Sequence, residues 1–259
     1  MRYFIELAYN GASFHGWQSQ PNAISVQSTI EEALSKILRN RISITGAGRT
    51  DTGVHARQMY AHFDFNEEIN DKKRFLLSLN NLVGKNISIN QVFKVEETSH
   101  ARFDAIEREY KYFVSYKKNP FLHNFYWYSP SVLDVDAMNS AAEILLETTD
   151  FTSFAKLHSD AKTNICGVKK AFWSPIEKDF EALNFLGNLN EGIVFTISAD
   201  RFLRNMVRAI VGTLVEIGRH KISIEKFKSI IEDKNRCSAG TSMPANGLFL
   251  WHIAYPFVR

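Results

Sequence analysis

Residues 2–9 read Arg2-Tyr3-Phe4-Ile5-Glu6-Leu7-Ala8-Tyr9, and residues 25–38 read Ser25-Val26-Gln27-Ser28-Thr29-Ile30-Glu31-Glu32-Ala33-Leu34-Ser35-Lys36-Ile37-Leu38. In the first stretch Tyr3, Ile5, Leu7 and Tyr9 alternate with their neighbours, which predicts a strand. In the second, Val26, Ile30, Ala33, Leu34, Ile37 and Leu38 recur at helical spacing, and Ser25 is placed to cap the helix. The change from period two to period 3.6 marks a strand–helix unit. The same alternation predicts strands over 60–65, 87–92, 109–116, 168–174, 192–198 and 248–253. Helices are predicted over 71–83, 136–147, 200–217 and 224–233. Phe75, Leu76, Leu79 and Leu82 should form the apolar face of the second helix. The helix over 200–217 should stop before Gly218, a residue suited to a left-handed cap. Residues 174–191 are the least patterned stretch. Both halves mix strands and helices, with a break near 98–107. This gives an α+β architecture of two domains, 1–105 and 106–259.

With 45% hydrophobic and 23% charged residues, the 259-residue chain can bury a sizeable core, which excludes intrinsic disorder and small disulfide scaffolds. Its 31 Lys and Arg against 28 Asp and Glu leave a net charge of only +3, so any polyanion site must be local. Cys166 and Cys237 lack CxxC spacing and are expected to be buried thiols in a reducing cytosol. No run approaches the ~18 apolar residues of a membrane span, and Glu6 breaks any signal-peptide core. A soluble, cytoplasmic protein is expected.

Three segments could carry chemistry. Gly46-Ala47-Gly48-Arg49-Thr50-Asp51-Thr52-Gly53-Val54-His55 holds three glycines, which marks a tight turn or a close approach to a ligand. It lacks the Lys-Ser/Thr pair of a phosphate loop and the GxGxxG of a dinucleotide site. Asp51-Thr52-Gly53 spells the aspartic-protease motif, but Arg49 would set a fixed cation beside carboxylates that must share a proton. A plain turn with a surface ion pair is the competing reading. On the helix over 200–217, Arg201, Arg204 and Arg208 fall along one face at spacings of three and four, suited to phosphates or a carboxylate. Such a stripe also suits a solvated face. Arg102-Phe103-Asp104-Ala105 followed by Arg108-Glu109-Tyr110-Lys111-Tyr112 interleaves aromatics and cations, as in surfaces that stack bases and hold phosphates. A tyrosine-rich core strand would look the same. The eight histidines show no metal-ligand spacing, so His55 and His62 are read as structural or hydrogen-bonding residues and no metal is expected.

Taken in order, these segments resemble the tRNA pseudouridine synthase A family. The matching elements are Gly16-Trp17-Gln18, Val26-Gln27, Ala47 to Ala56 and His100-Ala101-Arg102-Phe103. They continue with Arg108 to Tyr112, Asp150-Phe151-Thr152-Ser153-Phe154, Met206-Val207-Arg208 with Ile210-Val211-Gly212, and Gly247-Leu248-Phe249-Leu250. They span nearly the whole chain. Asn205 stands where the family often has histidine, and Glu109 where a basic residue is usual.

The resemblance implies two ferredoxin-like halves, with mixed, largely antiparallel sheets joined around an RNA cleft, in a homodimer. It implies isomerisation of uridine to pseudouridine at positions 38–40 of the tRNA anticodon stem-loop, with base flipping and neither cofactor nor metal. Asp51 carries over as the essential carboxylate, as nucleophile or as base. Arg208 would pair with it. Tyr110 would stack on the flipped uracil, Leu248 would wall the base, and Arg49 would fill the vacated stack or hold the backbone. Arg102, Arg108, Arg201 and Arg204 are the phosphate candidates. A non-catalytic RNA-binding module and a dimeric aspartic protease are the alternatives from other classes.

Overall fold

The computed structural model describes residues 1–157, 162–176 and 191–258, so most of the unpatterned stretch expected over 174–191 lies outside the described residues. The chain divides into two compact units, Met1–Ile106 with Phe249–Arg259, and Glu107–Leu248. The final strand therefore returns to the first unit, a closure that no local sequence pattern announces.

In the first unit, β1 (Arg2–Tyr9) lies between β3 (His55–Asp64) and β4 (Ile87–Val95) and pairs antiparallel with both. That central position buries Phe4 as well as Tyr3, Ile5, Leu7 and Tyr9. A short β2 (Thr45–Gly46) joins β3 antiparallel, and β9 (Leu248–Ala254) joins it in parallel, with His55 opposite Phe249. Arg2 ties the strand ends together by donating Nε and Nη2 to the two oxygens of Asp64, each at 2.8 Å. Helix α1 (Val26–Leu38) begins at Ser25 as expected. The Ser25 hydroxyl accepts from the Ser28 amide, and the Ser28 hydroxyl accepts from the Ser25 amide. Helix α2 (Lys72–Val83) is capped by Asp71. Its buried residues are Phe75, Leu79 and Val83, and Leu82 is 46% exposed, so the apolar face is turned from the expected one.

The second unit has the antiparallel order β5 (Glu107–Ser115), β8 (Gly192–Ala199) and β7 (Val168–Pro175), with β6 (Trp127–Tyr128) parallel to β5. Helices α3 (Val135–Glu147), α4 (Met206–Gly218) and α5 (Ile224–Glu232) complete it. The sheets are largely antiparallel, and the chain has five α-helices among the described residues.

Two expectations fail at α4. The helix starts at Met206 rather than near Asp200, because Asn205 sits in the left-handed region at φ 67°, which ends helical continuity on its N-terminal side. Arg201 and Arg204 therefore lie in the preceding loop, and the three-arginine helix face does not form. At the other end Gly218 belongs to the helix, and the positive φ falls on His220 instead. Gly218 is needed for closeness: a Cβ there would stand 2.6 Å from the Met138 sulfur on α3 and 3.3 Å from Leu133 Cβ. Cys166 is buried as expected, which pushes its thiol up to about 11, whereas Cys237 is exposed because it sits in a 3-10 turn at the surface. Neither is in a disulfide.

Gly218→Ala should overpack the α3–α4 contact and destabilise the second unit by about 1–3 kcal/mol, read as a lower denaturation midpoint in urea. An unchanged midpoint would mean that the two helices separate without cost.

Candidate functional site

In the first unit, the loop from Gly46 to His55 is shaped mainly by residues outside it. The Ala47 amide donates to the Tyr60 carbonyl at 2.8 Å, and the Trp17 amide donates to the Thr50 carbonyl at 3.2 Å. The Tyr9 and Thr50 hydroxyls meet at 2.8 Å in the interior. The Val54 amide closes a turn onto the Asp51 carbonyl at 3.1 Å, and Gly53, at the third position of that turn, has φ 81°. His55 is 1% exposed, accepts the Gly11 amide on Nδ1 at 3.1 Å and stacks on Phe249 with ring centroids 4.6 Å apart. These contacts present Asp51, half-buried, on a fixed turn, with Arg49 exposed two residues earlier. Arg49 donates Nε to Gln18 Oε1 at 3.1 Å.

In the second unit, Tyr110 lies on β5 opposite Ile197 and meets the Phe202 ring edge-on, centroids 5.0 Å apart. Arg208, in the first turn of α4, donates Nε to the Met243 carbonyl at 2.6 Å, and the Met243 amide returns a bond to the Arg208 carbonyl at 3.0 Å. Residues 239–243 lie strapped across this helix. The Gly240 amide donates to Thr213 Oγ1 at 3.0 Å. Arg236 donates to the Gly240 carbonyl at 3.2 Å and to Ser242 Oγ at 2.8 Å, and Asn205 Nδ2 donates to the same hydroxyl at 2.6 Å. Leu248 is buried at the start of β9. Arg108 donates to the Asp200 carbonyl at 2.7 Å, while the Asp200 carboxylate accepts the Gly167 and Arg201 amides at 2.8 and 2.7 Å. The Arg204 carbonyl accepts the Lys156 amide.

A family model described as tRNA pseudouridine synthase matches residues 141–256. The chain is 51% identical to the tRNA pseudouridine synthase A of Parabacteroides distasonis over 98% of its own length and 96% of that protein. It is 50% identical to the protein of the same name from Bacteroides thetaiotaomicron, over 98% and 91%. It is 34% identical to that from Bacillus pumilus, over 98% and 99%. The chain belongs to the tRNA pseudouridine synthase A family.

Of the residues that the family resemblance nominated, Arg49 and Asp51 share one loop of the first unit. Tyr110, Arg208 and Leu248 belong to the second unit. Arg108 reaches the Asp200 carbonyl with its guanidinium, whereas Arg201, the next residue along the chain, meets Asp200 through its backbone amide. Arg102 belongs to the first unit, on the surface turn at residues 100–104 rather than on a strand, beside the 74% exposed Phe103. The strap at 239–243 has no signature in the sequence, because its hold on Arg208 runs through the Met243 backbone carbonyl. Among the described residues no group of three or more His, Cys, Asp or Glu could hold a metal ion, and no helix is long and apolar enough to cross a membrane.

The 100–104 turn is pinned from inside the family fold. The Ala101 amide donates to Nδ1 of buried His62 at 3.1 Å, and the His100 amide donates to Asp104 Oδ2 at 2.7 Å. Burial, aided by the Arg2 charge, lowers His62 from the ordinary 6.5 to about 4. The unfolded chain therefore binds a proton at this position that the folded one refuses, so the share of stability that depends on neutral His62 is full above pH 6.5 and is lost as pH falls to about 4. His62→Asn keeps an acceptor without the titration. It should flatten roughly 2–3 kcal/mol of the wild type's stability loss in that window, measured by urea unfolding across pH. An unchanged slope would assign the proton to another group.

Proposed function

We propose that the protein isomerises uridine to pseudouridine at positions 38–40 of the tRNA anticodon stem-loop. The observation that carries this reading is about 50% identity, over nearly the full chain, to relatives named tRNA pseudouridine synthase A. The fixed presentation of Asp51 supports it. A homodimer, ferredoxin-like halves and a reaction without cofactor are parts of the same proposal, carried over from the resemblance.

The chemistry accounts for the residue types. In the isomerisation the N1–C1′ bond breaks and a C5–C1′ bond forms. The proton on C5 leaves to solvent, and N1 gains one. A stacked base is out of reach, so it must first turn out of the stem at a cost of a few kcal/mol. Arg49, exposed beside the Asp51 turn, takes the vacated place or holds the backbone. Asp51 supplies the carboxylate, as nucleophile toward sugar or base, or as base toward a sugar proton. A loop whose backbone bonds are met from outside does not have to reorganise as charge develops. Tyr110 stacks on the uracil, with its hydroxyl near the departing C5 proton. Arg208, held by Nε on the strap, directs the planar end of its guanidinium, the end that matches a carboxylate in two-point fashion. Leu248 walls the base, and Arg102, Arg108, Arg201 and Arg204 contact phosphates.

Asp51→Asn should abolish tritium release from tRNA containing 5-tritiated uridine while tRNA binding persists, and normal turnover by this variant would overturn the assignment. Arg208→Lys replaces a planar fork by a point charge. A rate loss of roughly a hundredfold or more at saturating tRNA is expected, with affinity nearly unchanged. Collapse of affinity at an intact saturating rate would make Arg208 a phosphate contact instead.

A further inference from the structure

Four side chains of the first unit form one hydrogen-bonded line from α1 to the Asp51 loop. Glu31 Oε1 accepts the Ile44 amide at 2.9 Å and Gln27 Nε2 at 3.0 Å. The same Gln27 Nε2 donates to the Ile44 carbonyl at 3.1 Å. Gln27 Oε1 then accepts Gln18 Nε2 at 2.8 Å and the Ser19 amide at 3.0 Å. Gln18 Oε1 accepts Arg49 Nε at 3.1 Å. A carboxylate end only accepts and a guanidinium end only donates, so each glutamine amide between them has a single satisfied orientation. Gln18 and Gln27 come from Gly16-Trp17-Gln18 and Val26-Gln27, motifs to which the reaction itself gives no task.

Resting on the function proposed above, we propose that Gln18 and Gln27 are positioning residues for Arg49. They hold its guanidinium by Nε, so that the terminal nitrogens keep one direction toward the stem as the uridine leaves it. Arg49 is exposed and makes no ion pair among the described residues, so this line is what orders a long, rotamer-rich side chain before RNA arrives. Gln18 is neutral, so it directs the cation without cancelling its charge. The line is anchored at Ile44, next to the start of β2, and α1 carries both Gln27 and Glu31 at a helical spacing of four.

The test compares wild type, Q18A, R49A and the double variant in single-turnover tritium release and in tRNA binding, with thermal melts as a folding control. Gln18 is exposed, so Q18A removes only the link. Q18A should slow the saturating rate roughly tenfold and leave the Kd for tRNA within about twofold. It should add nothing in the R49A background, because the two act as one unit. Q27A, one bond further from the guanidinium, should show the same split. Additive losses in the double variant, or weakened binding at an unchanged saturating rate, would overturn the positioning role. An active wild type with an unaffected Q18A would overturn that role alone. A wild type that binds tRNA and releases no tritium would overturn the pseudouridine reading, and the positioning role with it.

Discussion

Two stretches of backbone in the first unit approach so closely that no side chain fits between them. A Cβ on Gly11 would stand 1.9 Å from the Val54 carbonyl oxygen, and one on Gly16, already at φ 85°, would stand 2.5 Å from the Thr50 carbonyl oxygen. The segment 11–17 is thereby pressed against both flanks of Asp51, and its amides make bonds that the turn alone could not make. Gly11 gives its amide to His55, and Trp17 gives its amide to Thr50. Trp17 in turn packs under Gly46, where even a methyl group would meet the indole at 2.4 Å. The backbone on either side of Asp51 is thus held by this interlock as well as by the turn from Asp51 to Val54 within its own loop.

The second unit solves the equivalent problem by lacing a strap across a helix. A Cβ on Gly212 would stand 1.9 Å from the Thr241 carbonyl oxygen, so α4 can receive the strap only at a bare position. Arg236, Thr213 and Asn205 then fix the strap by side-chain hydrogen bonds, and the strap fixes Arg208. Asn205 has two tasks here. Its left-handed backbone starts the helix where Arg208 falls in the first turn, and its amide holds Ser242. Asparagine tolerates that conformation better than most residues.

Much of the fold was legible because its elements satisfy local rules. The alternation in β1, the Ser25 cap and the apolar row of α1 need no partner to be recognised. Failures occur where a distant group decides. The face of α2 turned toward Val83, and the arginines at 201 and 204 left the helix when Asn205 took positive φ. Gly218 met its neighbours as a packing contact, where sequence alone suggests a cap. Cys166 and Cys237 look equivalent in the sequence and differ in burial, since burial is a property of packing. At the candidate site, Asp51 and Arg49 stood out through their glycine-rich loop. The glutamines at 18 and 27 were visible as letters, and their amide directions were not.

Element types, the α+β mixture and the family could be read from the chain alone, because periodicity, caps and motif order are properties of residues taken in line. The return of β9 to β3, the hold on Arg208 through Met243 and the line of Gln18 and Gln27 behind Arg49 exist only in the folded chain. Each of these depends on groups remote in sequence meeting at hydrogen-bond distance. Distance and direction of that kind are set by the packing of backbones, which no local pattern encodes.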